Sequence, residues 1–270
     1  MAEKKIRLGT LGSAATFAGE ATIHMRESYP EYGEPVYYPS MEDCWEELKK
    51  GSVDAVILGV ERTGQPHHGD TLISHGFYVI GESSQPLICN LYVKPGTRKG
   101  DIRKITGHGS IHQCSAYLDR EFPGVPRVRH ELNSVEAARE VMTGDGTVAV
   151  VGSRSLARVV PGLEEMAGEI NDDATCSWCA ISTHPIFSDE PEVVMAASRF
   201  GPDGSLGTFI REMDAIGYSL RTAASFPVNA GISTYDYFLT FGGKGRRSAV
   251  ESVVSRFEGA RLVGAFDRRG

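Results

Sequence analysis

Residues 5–28, KIRLGTLGSAATFAGEATIHMRES, set the pattern that decides the fold. KIRLGTLG reads as a strand running into glycine, and FAGEATIHMRES as a helix stopped near Pro30. The same alternation repeats outward. PVYYPS (35–40) is a strand, and its Ser40 is a good N-cap for the helix MEDCWEELKK, which should end at Gly51. VDAVILGV (53–60) is an unbroken apolar run, as expected of a strand buried on both faces. Residues 78–93 give further strands, then RKITGHG (103–109) a strand entering a loop and SIHQCSAYLDREFP (110–123) a helix. RVRHELNS (127–134) reads as a strand whose Ser134 caps VEAAREVMTG, and TVAVVGS (147–153) as another buried strand. SRSLARVV (153–160) is a short helix, and EINDDATCSWCAIS (169–182) closes this part with a strand. Strands alternating with helices in this way point to an α/β architecture.

STHPIFSDEPE (182–192), with two prolines and three acidic residues, is the best domain boundary. Beyond it EVVMAASRF, SLGTFIREMDAIG, YSLRTAASFP, STYDYFLTFGG, RSAVESVVSRFEG and ARLVGAFD read β-α-β-β-α-β, a ferredoxin-like unit. The expected domains are therefore 1–186, with a second lobe over roughly 86–165, and 192–270.

At 270 residues, 41% hydrophobic and 23% charged, the chain is an ordinary globular composition with ample core. Its net charge of −7, without blocks of like charge, disfavours nucleic acid or an acidic membrane as partner. No run of about 18 apolar residues exists and MAEKKIRLGT lacks the core of a signal peptide, so the cytoplasm is the expected location.

Cys176-Ser-Trp-Cys179 has the spacing of a redox or metal pair. Structural zinc needs a second pair or two histidines, and a thioredoxin-like pair should open a helix. Neither context is present: AIST and HPIFSDEP follow, a strand and a loop. The five cysteines, at 44, 89, 114, 176 and 179, are read as buried free thiols, and neither metal nor organic cofactor is expected.

Several segments in order resemble the prephenate dehydratase family, a two-lobed catalytic domain like a type II periplasmic-binding protein, followed by a regulatory ACT domain. LGSAATFAGEA (11–21) is similar to the family's LGPxGTFSxxA, keeping Leu11, Gly12, Thr16, Phe17 and Ala21. GVERTGQPHHGDTL (59–72) matches PIENSxEGxVxxTL in length and keeps Glu61, Thr71 and Leu72. QPLICNLYV (85–93) resembles LPIxHCLL. GHGSIHQCSAYL (107–118) resembles SHPQALxQC with one residue fewer, retaining His108, Gln113 and Cys114. NSVEAAREV (133–141) resembles STAxAAxxV.

The family's last catalytic strand carries N-x-T-R-F, whose threonine is thought to assist departure of the C4 hydroxyl and whose arginine helps hold a carboxylate. Here that triplet falls on Cys176-Ser177-Trp178, or Thr175 takes the threonine's place after a one-residue slip, and no arginine follows. Loss of the donor makes hydroxide departure harder, and the electrons released with CO₂ would then be captured by protonation at carbon. The resemblance together with these departures implies non-aromatising decarboxylation of prephenate, to a dihydro-4-hydroxyphenylpyruvate for specialised amino-acid biosynthesis. The alternatives are an ordinary dehydratase using Thr175 or Cys176, and a catalytically silent protein binding an amino acid or keto acid.

Arg62 and Thr63 stand where the family has Asn and Ser, and Arg62 is read either as a substitute carboxylate holder or as a solvated arginine. His67 and His68 either supply a proton near neutral pH or face water. Thr16, beside a helix N-terminus, is a candidate carboxylate donor with Phe17 next to it; Ser134 either does the same or only caps its helix. His108 and Gln113 are candidate ligand contacts on the second lobe, with Ser177 and Trp178 on the closing strand. In the C-terminal unit GSLG (204–207) and ASFP (224–227) stand where the family has GALV- and ESRP-like effector segments. Gly204, Leu206 and Ser225 are thus the candidate effector contacts, although Ala224 and Phe226 replace the Glu and Arg and argue against phenylalanine feedback. The resemblance implies a small dicarboxylate as substrate and a homodimer or homotetramer.

Overall fold

The computed structural model describes residues 5–62, 65–66, 76–172, 175–201, 203–228 and 235–269, with backbone alone at 61, 62, 65 and 66. The first lobe is built from β1 (Ile6–Leu11), α1 (Phe17–Ser28), β2 (Tyr32–Tyr38), α2 (Met41–Lys50), β3 (Ala55–Arg62), β4 (Gln65–Pro66), β5 (Tyr78–Pro86) and the returning strand β11 (Thr175–Ser182). Local chemistry fixes these boundaries. Ser40 Oγ accepts the Asp43 amide at the start of α2, and Gly51 ends that helix in the left-handed region at φ 73°. Gly12, at φ 85°, turns β1 into α1, where a Cβ would stand 2.6 Å from Thr16 Cγ2.

β1, β2 and β3 are parallel, whereas β11 runs antiparallel between β3 and β5. Alternate residues of β3 and β11 enter two separate cores. Ala55, Ile57, Cys176, Trp178 and Ala180 pack under α1 with Met25, Tyr29 and Tyr32. Val56, Leu58, Cys179 and Ile181 pack on the other face with Cys44 and Leu48 of α2. Burial on both faces explains the continuous apolar run read at 53–60.

The second lobe holds β6 (Cys89–Val93), β7 (Lys104–Gly107), α3 (Ser115–Glu121), β8 (Arg127–Arg129), α4 (Ser134–Thr143), β9 (Val148–Ser153), α5 (Leu156–Val159) and β10 (Glu164–Ala167). Its sheet order is β10-β6-β9-β7-β8, with β7, β8 and β9 parallel. β10 is absent from the sequence reading because EEMA has no apolar alternation; its strand is set by pairing with β6. The helix read over 110–123 is a 3₁₀ segment, Gly109–Cys114, followed by α3. Two chain segments cross between the lobes, and Asn171 ties them: its Nδ2 donates to the Leu87 carbonyl at 2.6 Å and its Oδ1 accepts the Cys89 amide at 2.8 Å.

The C-terminal unit is β12 (Val193–Phe200), α6 (Ser205–Ala215), β13 (Tyr218–Pro227), β14 (Tyr235–Gly243), α7 (Arg247–Val254) and β15 (Arg261–Phe266). Its strand order β13-β14-β12-β15 is that of a ferredoxin-like sheet, so the molecule has a two-lobed type II periplasmic-binding-protein fold followed by an ACT-type unit. This sheet does not stand apart. β15 bridges to β5 at Gly264 and Val79, joining it to the first lobe in one ten-stranded sheet. Val193, Met195, Ala197, Phe238, Val263 and Phe266 share a core with α2, and Ala224 and Phe226 pack against it.

Arg221 of β13 donates to Glu82 of β5 at 2.7 Å, with the carboxylate 9% and the guanidinium 32% exposed. Removing one partner strands a buried charge. Arg221→Ala is expected to cost about 2 kcal/mol, below the fully buried range because the guanidinium is partly solvated. Adding Glu82→Gln should recover part of that loss in urea denaturation.

Candidate functional site

A cleft of about 370 Å³ lies between the two lobes, within the range that takes small-molecule ligands. Its lining follows a simple rule: ligand sites in parallel sheets lie beyond the carboxyl ends of the strands. Leu11 and Gly12 come from the end of β1 and Gly59 from β3; His108 follows β7, Arg129 ends β8 and Ser153 ends β9. β11 adds Cys176 and Trp178 to the first-lobe wall. That wall is shaped by Gly59, where a Cβ would stand 3.3 Å from Cys176 Sγ and 3.4 Å from the indole ring.

Two helices point their N-termini at the cleft from opposite lobes, each leaving first-turn amides without intrahelical partners. At α1, Thr16 Oγ1 accepts the Gly19 amide at 3.1 Å and donates to the Ser13 carbonyl at 2.8 Å. At α4 the cap is Asn133, whose Oδ1 accepts the amides of Val135 and Glu136 at 2.9 and 3.0 Å. Ser134, expected as that cap, is instead the first helical residue, because asparagine one place earlier already reaches both amides. The lobes meet at the wall of the cleft through Ser153, whose Oγ donates to the Ala15 carbonyl at 2.9 Å, and through Phe17, which packs against the cores of both lobes.

Six of the sequence candidates line this one cleft: Thr16, Phe17, His108, Ser134, Cys176 and Trp178. Others do not. Strand alternation turns Ser177 to the opposite face, where its Oγ lies 2.9 Å from Ser84 Oγ. Thr175 is exposed at the start of β11, and neither it nor Gln113 is among the lining residues. Gln113 Oε1 is buried without a partner among the described residues, while its main-chain carbonyl accepts the Asp172 amide. Thr63, His67, His68 and the side chain of Arg62 lie outside the described residues; the Arg62 backbone pairs with Cys176. Gly204 caps α6 in the left-handed region, Leu206 packs on the C-terminal core and Ser225 is exposed on β13. The nearby cavity of about 640 Å³ is lined by Arg199, Asp203, Ser205 and Asp236 among others, and by none of those three.

Sequence reasoning missed Arg129, Ser110 and Asn133. The Arg129 side chain lines the cleft and makes no ion pair or hydrogen bond among the described residues. Its signal was position alone, at the carboxyl end of a three-residue strand just before a helix cap.

The Cys176–Cys179 spacing is resolved by geometry. The two thiols enter different cores on opposite faces of the sheet, so they cannot form a pair. All five cysteines are buried and none is in a disulfide. Burial pushes the Cys44 thiol up to about 12, and Cys114 is raised by its hydrogen bond with Cys89 and by burial. Only the thiolate is nucleophilic, and at pH 8 a thiol near 12 is ionised in roughly one molecule in ten thousand. Iodoacetamide at pH 8 should therefore leave Cys44 and Cys114 unmodified in the folded protein and alkylate both in denaturant, as read by peptide mass spectrometry.

With the geometry in place, comparison with known proteins is informative. The family profile described as prephenate dehydratase matches residues 8–184. The bifunctional chorismate mutase/prephenate dehydratase of Neisseria gonorrhoeae is 24% identical over 262 residues, covering 94% of this chain and 71% of that protein. Among solved structures, the prephenate dehydratase from Arthrobacter aurescens in complex with L-Phe superposes with a TM-score of 0.81 at 20% identity, over 97% of this chain and 90% of that one. GqqA, described as a novel type of quorum-quenching acylase, gives 0.77 at 17% identity, over 97% and 98%. These structural likenesses speak for the fold, whereas the profile spans most of the chain. The chain belongs to the prephenate dehydratase family.

Proposed function

We propose that the chain is a lyase acting on prephenate in the interlobe cleft, with the dehydratase reaction as its leading reading. Prephenate would lose its ring carboxylate as CO₂ and its ring hydroxyl as water, giving phenylpyruvate. The observation that supports this best is the placement of Arg129 and the first turns of α1 and α4 around one cleft with largely apolar walls, in a chain with this family match. A diacid offers one carboxylate to each lobe. Arginine can hold a carboxylate through two parallel hydrogen bonds, and the helix N-termini favour negative charge. Arg129 offsets the arginine missing after Cys176, while the Arg62 side chain lies outside the described residues. The Trp178 ring and Gly59 shape a flat wall beside which a six-membered ring fits.

One observation favours a second outcome in the same cleft. β11 presents Cys176 and Trp178 to the cavity, and its hydroxyls, Thr175 and Ser177, do not line it. With no hydroxyl from that strand to protonate the departing oxygen, the electrons released as CO₂ departs would be captured by a proton at ring carbon. The hydroxyl would stay, giving non-aromatic dihydro-4-hydroxyphenylpyruvate.

Incubation with prephenate, followed by proton NMR of the product, separates these readings. Aromatic ring signals from phenylpyruvate are expected; vinylic ring signals would select the second outcome. Tight binding of an amino acid or keto acid without turnover would reduce the protein to a binding module. Arg129→Gln should raise KM for prephenate roughly 10- to 100-fold, the worth of a charge-assisted hydrogen bond, with a smaller change in kcat.

A further inference from the structure

The cleft contains two deeply buried donors to which the described residues offer no acceptor. Ser110 is 3% exposed and Trp178 6% exposed; neither Ser110 Oγ nor Trp178 Nε1 has a hydrogen-bond partner among the described residues. Both side chains line the cleft, Ser110 from the second lobe and Trp178 from the first. Other hydroxyls on the same walls show what local satisfaction looks like. Thr16 Oγ1 donates to the Ser13 carbonyl at 2.8 Å, and Ser153 Oγ to the Ala15 carbonyl at 2.9 Å. Burying a donor without an acceptor opposes folding, so two such donors, on residues that line one cavity from opposite lobes, mark where acceptor oxygens belong.

We propose that Ser110 Oγ and Trp178 Nε1 are ligand-contacting donors, one from each lobe, that meet oxygens of the bound ring acid while Arg129 supplies charge. The identity of that acid rests on the prephenate reading above. The two donors differ chemically. An indole N–H only donates and does not release its proton near neutral pH, so Trp178 orients an oxygen without protonating it. A serine hydroxyl both donates and accepts, so Ser110 can follow an oxygen whose charge changes. Because the donors sit on different lobes, a ligand bonded to both draws the lobes together. Ser110 lies in GHGSIHQC, where one residue fewer than the family pattern leaves it in the tight 3₁₀ segment Gly109–Cys114.

The test pairs Ser110→Ala with Trp178→Phe, each of which deletes a donor and keeps most of the side-chain volume. Calorimetric titration with prephenate and with phenylpyruvate is combined with thermal melts without added acid. Affinity is expected to fall roughly 10- to 100-fold for each donor removed, as for a hydrogen bond to a charged oxygen. The Tm of Ser110→Ala is expected to hold or rise, since a donor lacking an acceptor has been removed. Wild-type binding with unchanged affinity in both variants would overturn the proposal and leave the prephenate reading standing. A lowered Tm for Ser110→Ala would also overturn it, by showing that the protein already supplies the acceptor. Should Trp178→Phe lose its fold through altered packing, Ser110→Ala decides alone. A wild type that binds neither acid sinks the prephenate reading, and this inference with it.

Discussion

The whole arrangement depends on β11 being buried on both faces between β3 and β5. Residue parity along that one strand distributes its side chains between two environments. Cys176 and Trp178 reach the cleft, and Cys179 and Ile181 reach the core shared with the C-terminal unit. A one-residue slip would exchange the two sets and place Ser177 in the cavity. Gly59 on the neighbouring strand suits this register, because a Cβ there would press on the Cys176 thiol at 3.3 Å while touching the indole at ordinary contact distance.

Much of this was legible in the sequence because it is local. The Ser40 cap and Gly51 stop of α2, the apolar run of β3 and the β-α-β-β-α-β order after 192 each follow from chemistry within a few residues. The misses are non-local. Arg129 matters through where its short strand ends in space, and Ser110 through the 3₁₀ segment that sets it, with His108 and not Gln113, against the cleft. β10 exists because β6 offers it an edge. Ser134 was displaced as cap by Asn133, two acceptable residues of which only the geometry could select one.

The motif that seemed most chemical in the sequence, the cysteine pair, is the least so in space. Three residues along a strand is an odd step, so the two thiols are separated by the sheet itself. Conversely, the replacements at Ala224 and Phe226, read from the sequence as opposing phenylalanine feedback, have a packing role. Both lie against the core shared with α2, on the same strand as the Arg221 that pairs with Glu82. Positions read as a lost regulatory pocket thus help seat the C-terminal unit on the first lobe.

The continuity of the large sheet divides the molecule mechanically. Lobe one and the C-terminal unit share a sheet, a hydrophobic core and an ion pair, so they are tied into a single block. The remaining lobe is joined to it by the Asn171 tie and by the Ser153 and Phe17 contacts. A change in the width of the cleft is therefore taken up more cheaply between the lobes than within that block.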